Sequence, residues 1–287
     1  MGTGGDLPGK DERLIERESH GSHAPPVALT IAGSDSGGGA GIQADLKTFH
    51  AFGVFGTSAV TAVTAQNTRG VFGVQKVSPE LVAEQIRVVA DDLRPAAVKT
   101  GMLADSRIIA AVTEAVRQKG LERLVVDPVM VATSGDRLLE ETAERAYRDL
   151  FRLATLVTPN LHEAEILTDR PIGDLTGMCE AAAALVAEGC GAVLLKGGHL
   201  PGVEVLDLLH DGRRWHVWRE ERIDTTRTHG TGCTLSAAIT AGLALGQGLF
   251  EAVDRGLRYT REALRSAPQL GGSRGPLNHW APTDRQR

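Results

Sequence analysis

Six short apolar runs, at residues 27–32, 56–65, 96–100, 123–127, 156–158 and 192–196, carry the strongest constraint on how this chain can fold. Stretches of helical periodicity lie between them, at 39–52, 79–93, 106–119, 138–150, 161–168 and 177–188. Strands that alternate with helices in this way predict a mostly parallel sheet covered by helices on both faces. Two further apolar runs, 203–210 and 215–218, flank Asp211-Gly212 and read as a hairpin placed late in the sheet. The chain then ends in helical stretches at 232–245 and 250–267. Open sheets of this type bind ligands at the carboxyl ends of their strands. Gly33, Gln66, Gly101, Met102, Asp127, Asn160, Lys196 and Gly197 all fall at or just after those ends. They are expected to meet at one edge of the sheet.

The run His229-Gly230-Thr231-Gly232-Cys233-Thr234, leading into an alanine-rich helical segment, predicts an anion site. Glycines let several amides turn toward one point, and the helix that follows adds the positive end of its dipole. Phosphates of a nucleotide suit such a site. Cys233 sits at the mouth of that helix, where a thiol is expected to have a lowered pKa and to act as a base or nucleophile.

A second glycine-rich loop, Gly33-Ser34-Asp35-Ser36-Gly37-Gly38-Gly39-Ala40-Gly41, joins the first apolar run to the first helical stretch. It fails both standard phosphate patterns. Gly39, Gly41 and Ala44 fit the loose dinucleotide spacing, but no acidic residue follows at the end of a second strand to hold a ribose. Lys47-Thr48 lacks the glycine directly before it that a P-loop requires. The loop is therefore expected to shape a small-molecule pocket.

Seven blocks in order extend the pattern: 32–47, Thr64 to Gly70, Lys99 to Leu103, Asp127 to Met130, Thr158 to Glu165, Leu195 to His199, and the Gly-Thr-Gly-Cys run. From about 27 to 280 the chain resembles the ribokinase-like superfamily. Within it, the chain resembles the hydroxymethylpyrimidine/phosphomethylpyrimidine kinases of thiamine biosynthesis. The resemblance implies an α/β fold, a three-layer αβα sandwich with a mostly parallel central sheet, formed as one domain over 27–287. It implies ATP-dependent phosphorylation of 4-amino-5-hydroxymethyl-2-methylpyrimidine and then of its monophosphate, with Mg²⁺. A pyridoxal kinase of the same subgroup is the alternative, and a non-catalytic precursor sensor is a more distant one.

The same resemblance distributes the roles. Gly230, Thr231, Gly232 and Cys233 would carry catalysis, with Cys233 where other members of the superfamily place an aspartate base. A positioning role for Cys233, with the hydroxyl proton lost late to phosphate, is the other reading. Gly33, Asp45, Gln66, Met102, Val129 and Cys233 would bind the pyrimidine. Lys196, His229, Thr231 and Gly232 would hold the phosphates. Asp127, Asn160 and Glu163 would serve the metal. Asn160 and Glu163, three apart at a helix start, also form a credible capping pair. Thr133 stands where relatives carry a lysine, which puts a charge contact from that loop in doubt.

Net charge is −5, with Lys+Arg 31 against Asp+Glu 36, so there is no basic footprint for nucleic acid. No apolar run reaches the length of a membrane span. Residues 1–26 are polar and glycine-rich and are expected to be a disordered extension. The three cysteines are an odd number, which argues for a reducing cytoplasm rather than a disulfide framework. Cys179 and Cys190 read as packing residues. A homodimer follows from the family alone.

Overall fold

A computed structural model describes residues 1, 24–130, 142–272 and 274–283. The expectation for the N-terminal extension, the start of the 138–150 helix and the Thr133 position fall largely outside these residues.

The strands are β1 (Val27–Asp35), β2 (Phe55–Asn67), β3 (Gly70–Lys76), β4 (Ala97–Thr100), β5 (Leu124–Val126), β6 (Leu156–Val157), β7 (Val193–Lys196), β8 (Glu204–His210) and β9 (Trp215–Glu221). They form one sheet in the order β3-β2-β1-β4-β5-β6-β7-β8-β9. The pairs from β2 through β7 are all parallel, and antiparallel strands close both edges. β3 was not anticipated. It pairs antiparallel with β2 and stays largely exposed, and it lacks the apolar density by which the buried strands announce themselves.

The helices are α1 (Gly41–Ala51), α2 (Pro79–Leu93), α3 (Ser106–Lys119), α4 (Thr142–Phe151), α5 (Leu161–Thr168), α6 (Leu175–Ala187), α7 (Thr231–Ala244) and α8 (Leu249–Arg265). Period-two alternation in the strands divides the core between two faces. Leu29, Ile31, Val98, Leu124, Val126, Val157, Val193 and Leu195 pack on the side of α2, α3, α4, α5 and α6. Ala28, Ala97, Val125, Leu156 and Leu194 pack on the side of α1, α7 and α8. The three-layer sandwich is thus present.

Caps fix the ends of the helices that matter most. Ser78 precedes Pro79 at the first position of α2 and accepts from the Leu81 amide at 3.3 Å. Asp105 accepts from the Arg107 and Ile108 amides at the start of α3. At α5, Asn160 accepts from the Glu163 amide while Glu163 accepts from the Asn160 amide, each at 2.9 Å. α7 differs: Gly230 is its N-cap, at φ 85°, and no side chain caps its amides. Only glycine tolerates that position, because a Cβ there would stand 1.9 Å from the Gly39 carbonyl oxygen. Among the described residues, no helix is long and apolar enough to cross a membrane.

Candidate active site

A cavity of about 680 Å³ opens at the carboxyl ends of the parallel strands. Across the sheet its lining changes character. Gly33, Gln66, Val71, Met102 and Val129 bound one part, then Asp127, Asn160, Glu163, Lys196, Gly232 and Cys233, then Val205, Asp207, Ile223, Thr225 and Leu257. A flat apolar ring fits the first part, phosphates fit the second, and a nucleoside fits the third.

On the acceptor side, Met102 is held by its backbone, whose carbonyl accepts from Thr61 Oγ1 at 2.6 Å. Gly33 makes room for it: a Cβ there would lie 2.4 Å from the Met102 methyl. Thr64 Oγ1 lies 2.9 Å from the Ser34 carbonyl and 3.1 Å from Gln66 Oε1, which share its single hydroxyl proton, and the Gln66 NH₂ is left as a directional donor. Asp45 is fully buried, bonded by Thr30 Oγ1 at 2.6 Å and Lys99 Nζ at 2.8 Å, and is not among the residues that line the cavity. A carboxylate on the inner face of α1 is answered there by a lysine on the central strand β4.

In the centre, Lys196 Nζ donates to Asp127 Oδ1 at 2.9 Å. Burial works against its charge, but Asp127 and Glu163 hold the ammonium above its ordinary pKa. Gly232 is packed against this pair: a Cβ would come 3.3 Å from Lys196 Nζ and 3.4 Å from Asp127 Oδ2. The uncapped first turn of α7 presents its amides to the same spot. Thr231 is the exception, since its amide and hydroxyl both go to the Thr228 carbonyl, at 3.2 and 2.8 Å. Thr231 nonetheless lines the cavity.

The Cys233 expectation is reversed in one respect. Burial pushes the thiol up to about 11, against Lys99 nearby, with Asp45 and Asp127 adding to the rise and a Gly41 amide bond lowering it. Magnitudes explain why. A helix terminus contributes about 0.3–2 kcal/mol, whereas burying a charge costs about 4 kcal/mol or more. Position at a helix start is legible in a sequence, but burial is not.

Asn160, Glu163 and Asp127 do converge, though each has a structural duty. Asn160 and Glu163 form the capping pair described above, and Asp127 also receives Thr158 and Ser236, both at 3.4 Å. Burial raises Glu163 to about 7, with Lys196 opposing and Asp127 reinforcing the rise. Among the described residues no cluster of three His, Cys, Asp or Glu could cage an ion. His229 Nε2 lies 2.8 Å from Oδ2 of Asp35, a lining residue, while His229 itself is not among the lining residues.

Several lining residues escaped the sequence reading. Asp35 was quoted in the glycine loop without a role. Lys99, a lysine inside an apolar strand, is a further omission: it is not on the lining but fully buried as the partner of Asp45. Asp207 of β8 lines the nucleoside end and accepts from the Gly197 amide at 3.1 Å, and burial lifts it to about 6. Arg222 donates to the carbonyls of Gly198, Leu200 and Gly202 and so ties down the loop after β7.

A three-layer α/β sandwich with an uncapped glycine turn facing a half-buried lysine, beside a largely apolar pocket, defines a small-molecule kinase. The phosphomethylpyrimidine kinase family model matches residues 35–278. The chain belongs to that family. A hydroxymethylpyrimidine/phosphomethylpyrimidine kinase of Rhizobium meliloti (strain 1021) is 53% identical over 258 residues, 88% of this chain and 97% of the relative. The crystal structure of phosphomethylpyrimidine kinase from Clostridium difficile 630 is 43% identical, covers 83% of this chain and 99% of its own, and superposes with a TM-score of 0.75. An ADP complex of Bacillus subtilis pyridoxal kinase is 37% identical, with a TM-score of 0.83 over 90% of this chain and 98% of that one.

Proposed function

We propose that the protein transfers the terminal phosphoryl group of ATP to the primary alcohol of 4-amino-5-hydroxymethyl-2-methylpyrimidine, and then phosphorylates the monophosphate to the pyrophosphate. The observation that carries this reading is one continuous cavity. In it the Gly33–Gln66–Met102–Val129 pocket opens onto Lys196 and the Gly232–Cys233 turn. The names of the relatives supply the substrate, and the ADP complex of a neighbour supports the use of a nucleotide.

In the first step the alcohol oxygen forms a bond to the γ-phosphorus, the bond from that phosphorus to ADP breaks, and the alcohol proton leaves. Lys196 and the α7 amides take up charge on the moving phosphoryl group. Cys233 is read as the acceptor of the alcohol proton, the alternative being that it only aligns the hydroxyl while the proton passes late to the phosphate. Mg²⁺ fits as an ion held chiefly by phosphates and water, with Glu163 and Asp127 answering its charge, which is the usual mode for this cation. It would neutralise the phosphate oxygens. Met102 and Val129 press on the ring, and the Gln66 NH₂ donates to a ring nitrogen.

The pyridoxal reading has one observation in its favour, the close superposition on pyridoxal kinases. The higher identity to pyrimidine kinases outweighs it. ADP release is the deciding measurement, with the pyrimidine alcohol, its monophosphate and pyridoxal offered separately. The expected order of kcat/KM places both pyrimidines above pyridoxal; a preference for pyridoxal, or no acceptor-stimulated release, sinks the proposal.

We further place the enzyme in the cytoplasm, where its three free thiols stay reduced. We also read it as a homodimer. Edge strand β3 leaves Phe72 and Val74 exposed, a face that a second copy would cover. Light scattering should give twice the chain mass, and Phe72→Glu should shift it toward the single-chain value. A monomeric parent would overturn this assignment.

A further inference from the structure

The loop leaving β1 and the loop entering α7 come from opposite ends of the chain, and one buried contact joins them. His229 Nε2 lies 2.8 Å from Asp35 Oδ2, with the two residues 8% and 3% exposed. Oδ2 can only accept from a ring N–H, so the imidazole carries its proton on Nε2. The same carboxylate accepts the amides of Gly37 at 2.8 Å, Gly39 at 3.1 Å and Ala40 at 2.9 Å. One side chain thus organises the acceptor loop and grips the phosphate loop. Although burial opposes it, the His229 bond and the loop amides hold the Asp35 carboxyl below the usual carboxylate range.

His229 is itself anchored on its far side. Its amide donates to the Gly275 carbonyl at 3.2 Å, and it forms a bridge with Pro276. The two loops meet without slack: a Cβ at Gly39 would stand 2.5 Å from His229 Cδ2. The acceptor loop then reaches the reacting group, since the Gly41 amide bonds the Cys233 sulfur. Asp35 lines the cavity and His229 does not.

We propose that His229 is a positioning residue, which clamps the phosphate-side loop to the acceptor-side loop through Asp35 and so sets the distance from acceptor hydroxyl to terminal phosphate. It touches neither substrate. This rests on the kinase reading above. The physical cause is alignment: a misplacement of about 1 Å between reacting groups costs about 10²-fold in rate.

Two variants test it. His229→Ala removes the donor, while His229→Gln offers an amide N–H that can reach Asp35. For His229→Ala, kcat is expected to fall about 10²-fold, with KM for ATP and for the acceptor each changing less than about threefold. His229→Gln is expected to recover about tenfold of that loss. Alkylation of Cys233, followed on its own peptide, should slow in His229→Ala and return toward the parent rate in His229→Gln, because the Gly41 amide that favours the thiolate is withdrawn only in the first. A His229→Ala enzyme with unchanged kcat and unchanged alkylation overturns the clamp. So does a rise in KM for ATP at constant kcat, which would make His229 a direct phosphate ligand. If the parent enzyme phosphorylates no acceptor, the kinase reading fails by itself, and the alkylation rates still decide whether the clamp exists.

Discussion

Turnover of the Cys233→Ser enzyme is expected to fall by about 10²- to 10⁴-fold, the range that a positioned proton acceptor contributes. Nucleotide affinity should be unchanged, because the amides of the α7 turn and Lys196 are left in place. Titration with a fluorescent nucleotide beside steady-state kinetics separates the two quantities. A serine enzyme with parental kcat would remove Cys233 from the chemistry. The pH profile adds a sharper test. With the thiol at about 11, only about one molecule in 10⁴ carries a thiolate at pH 7. The thiolate fraction grows tenfold for each pH step below that value. If the thiolate is the base, kcat/KM for the acceptor in the parent enzyme climbs with unit slope above the Glu163 transition near 7. A flat profile from pH 8 to 9.5 would mean that the alcohol proton passes late to the phosphate, with Cys233 only aligning the hydroxyl.

Lys99→Met is expected to destabilise the fold by about 3–5 kcal/mol, which is the usual cost of removing one member of a buried ion pair. The reason is the fate of Asp45. Both side chains are 0% exposed, and the 2.8 Å bond between them is the only ionic contact described for either. Without the ammonium, Asp45 keeps only the Thr30 hydroxyl. A loss of that size corresponds to about 6–20 °C in Tm for a chain of this length. Asp45→Asn combined with Lys99→Met should recover most of it, since no charge is then left buried and the asparagine still meets Thr30. Calorimetry on the single and double variants reads the effect, and a single-variant loss below about 1 kcal/mol would show that the pair is not structural. The double variant also asks whether Asp45 reaches the substrate. A restored Tm with a raised acceptor KM would return Asp45 to the binding pocket.

How much was legible depended on whether the signal was local. α2, α3 and α5 end where the sequence says they end, because Ser78-Pro79, Asp105 and the Asn160–Glu163 pair are short-range signals that a reader of the chain can see. The parallel centre of the sheet was visible because strands buried on both faces must be apolar along their whole length. β3 was invisible for the converse reason: exposed, it is under no such demand.

The site divides along the same line. Residue types at strand ends placed Gly33, Gln66, Met102, Asp127, Asn160 and Lys196 at one cavity, while Gly101 and Gly197, expected with them, are not on its lining. Sequence spacing could not say which neighbour each would meet. Asp45 and His229 carry side chains suited to a ligand, yet each is taken by a partner from another part of the chain, Lys99 in one case and Asp35 in the other. Electrostatics followed the same rule, because the cost of burying a charge depends on everything packed around it. The sequence by itself determined the layering, the helix limits and the edge at which the chemistry lies, all consequences of periodicity and local hydrogen bonding. Tertiary structure alone decided the partners of the buried charges and the protonation of the thiol, since both arise from contacts between residues far apart in the chain.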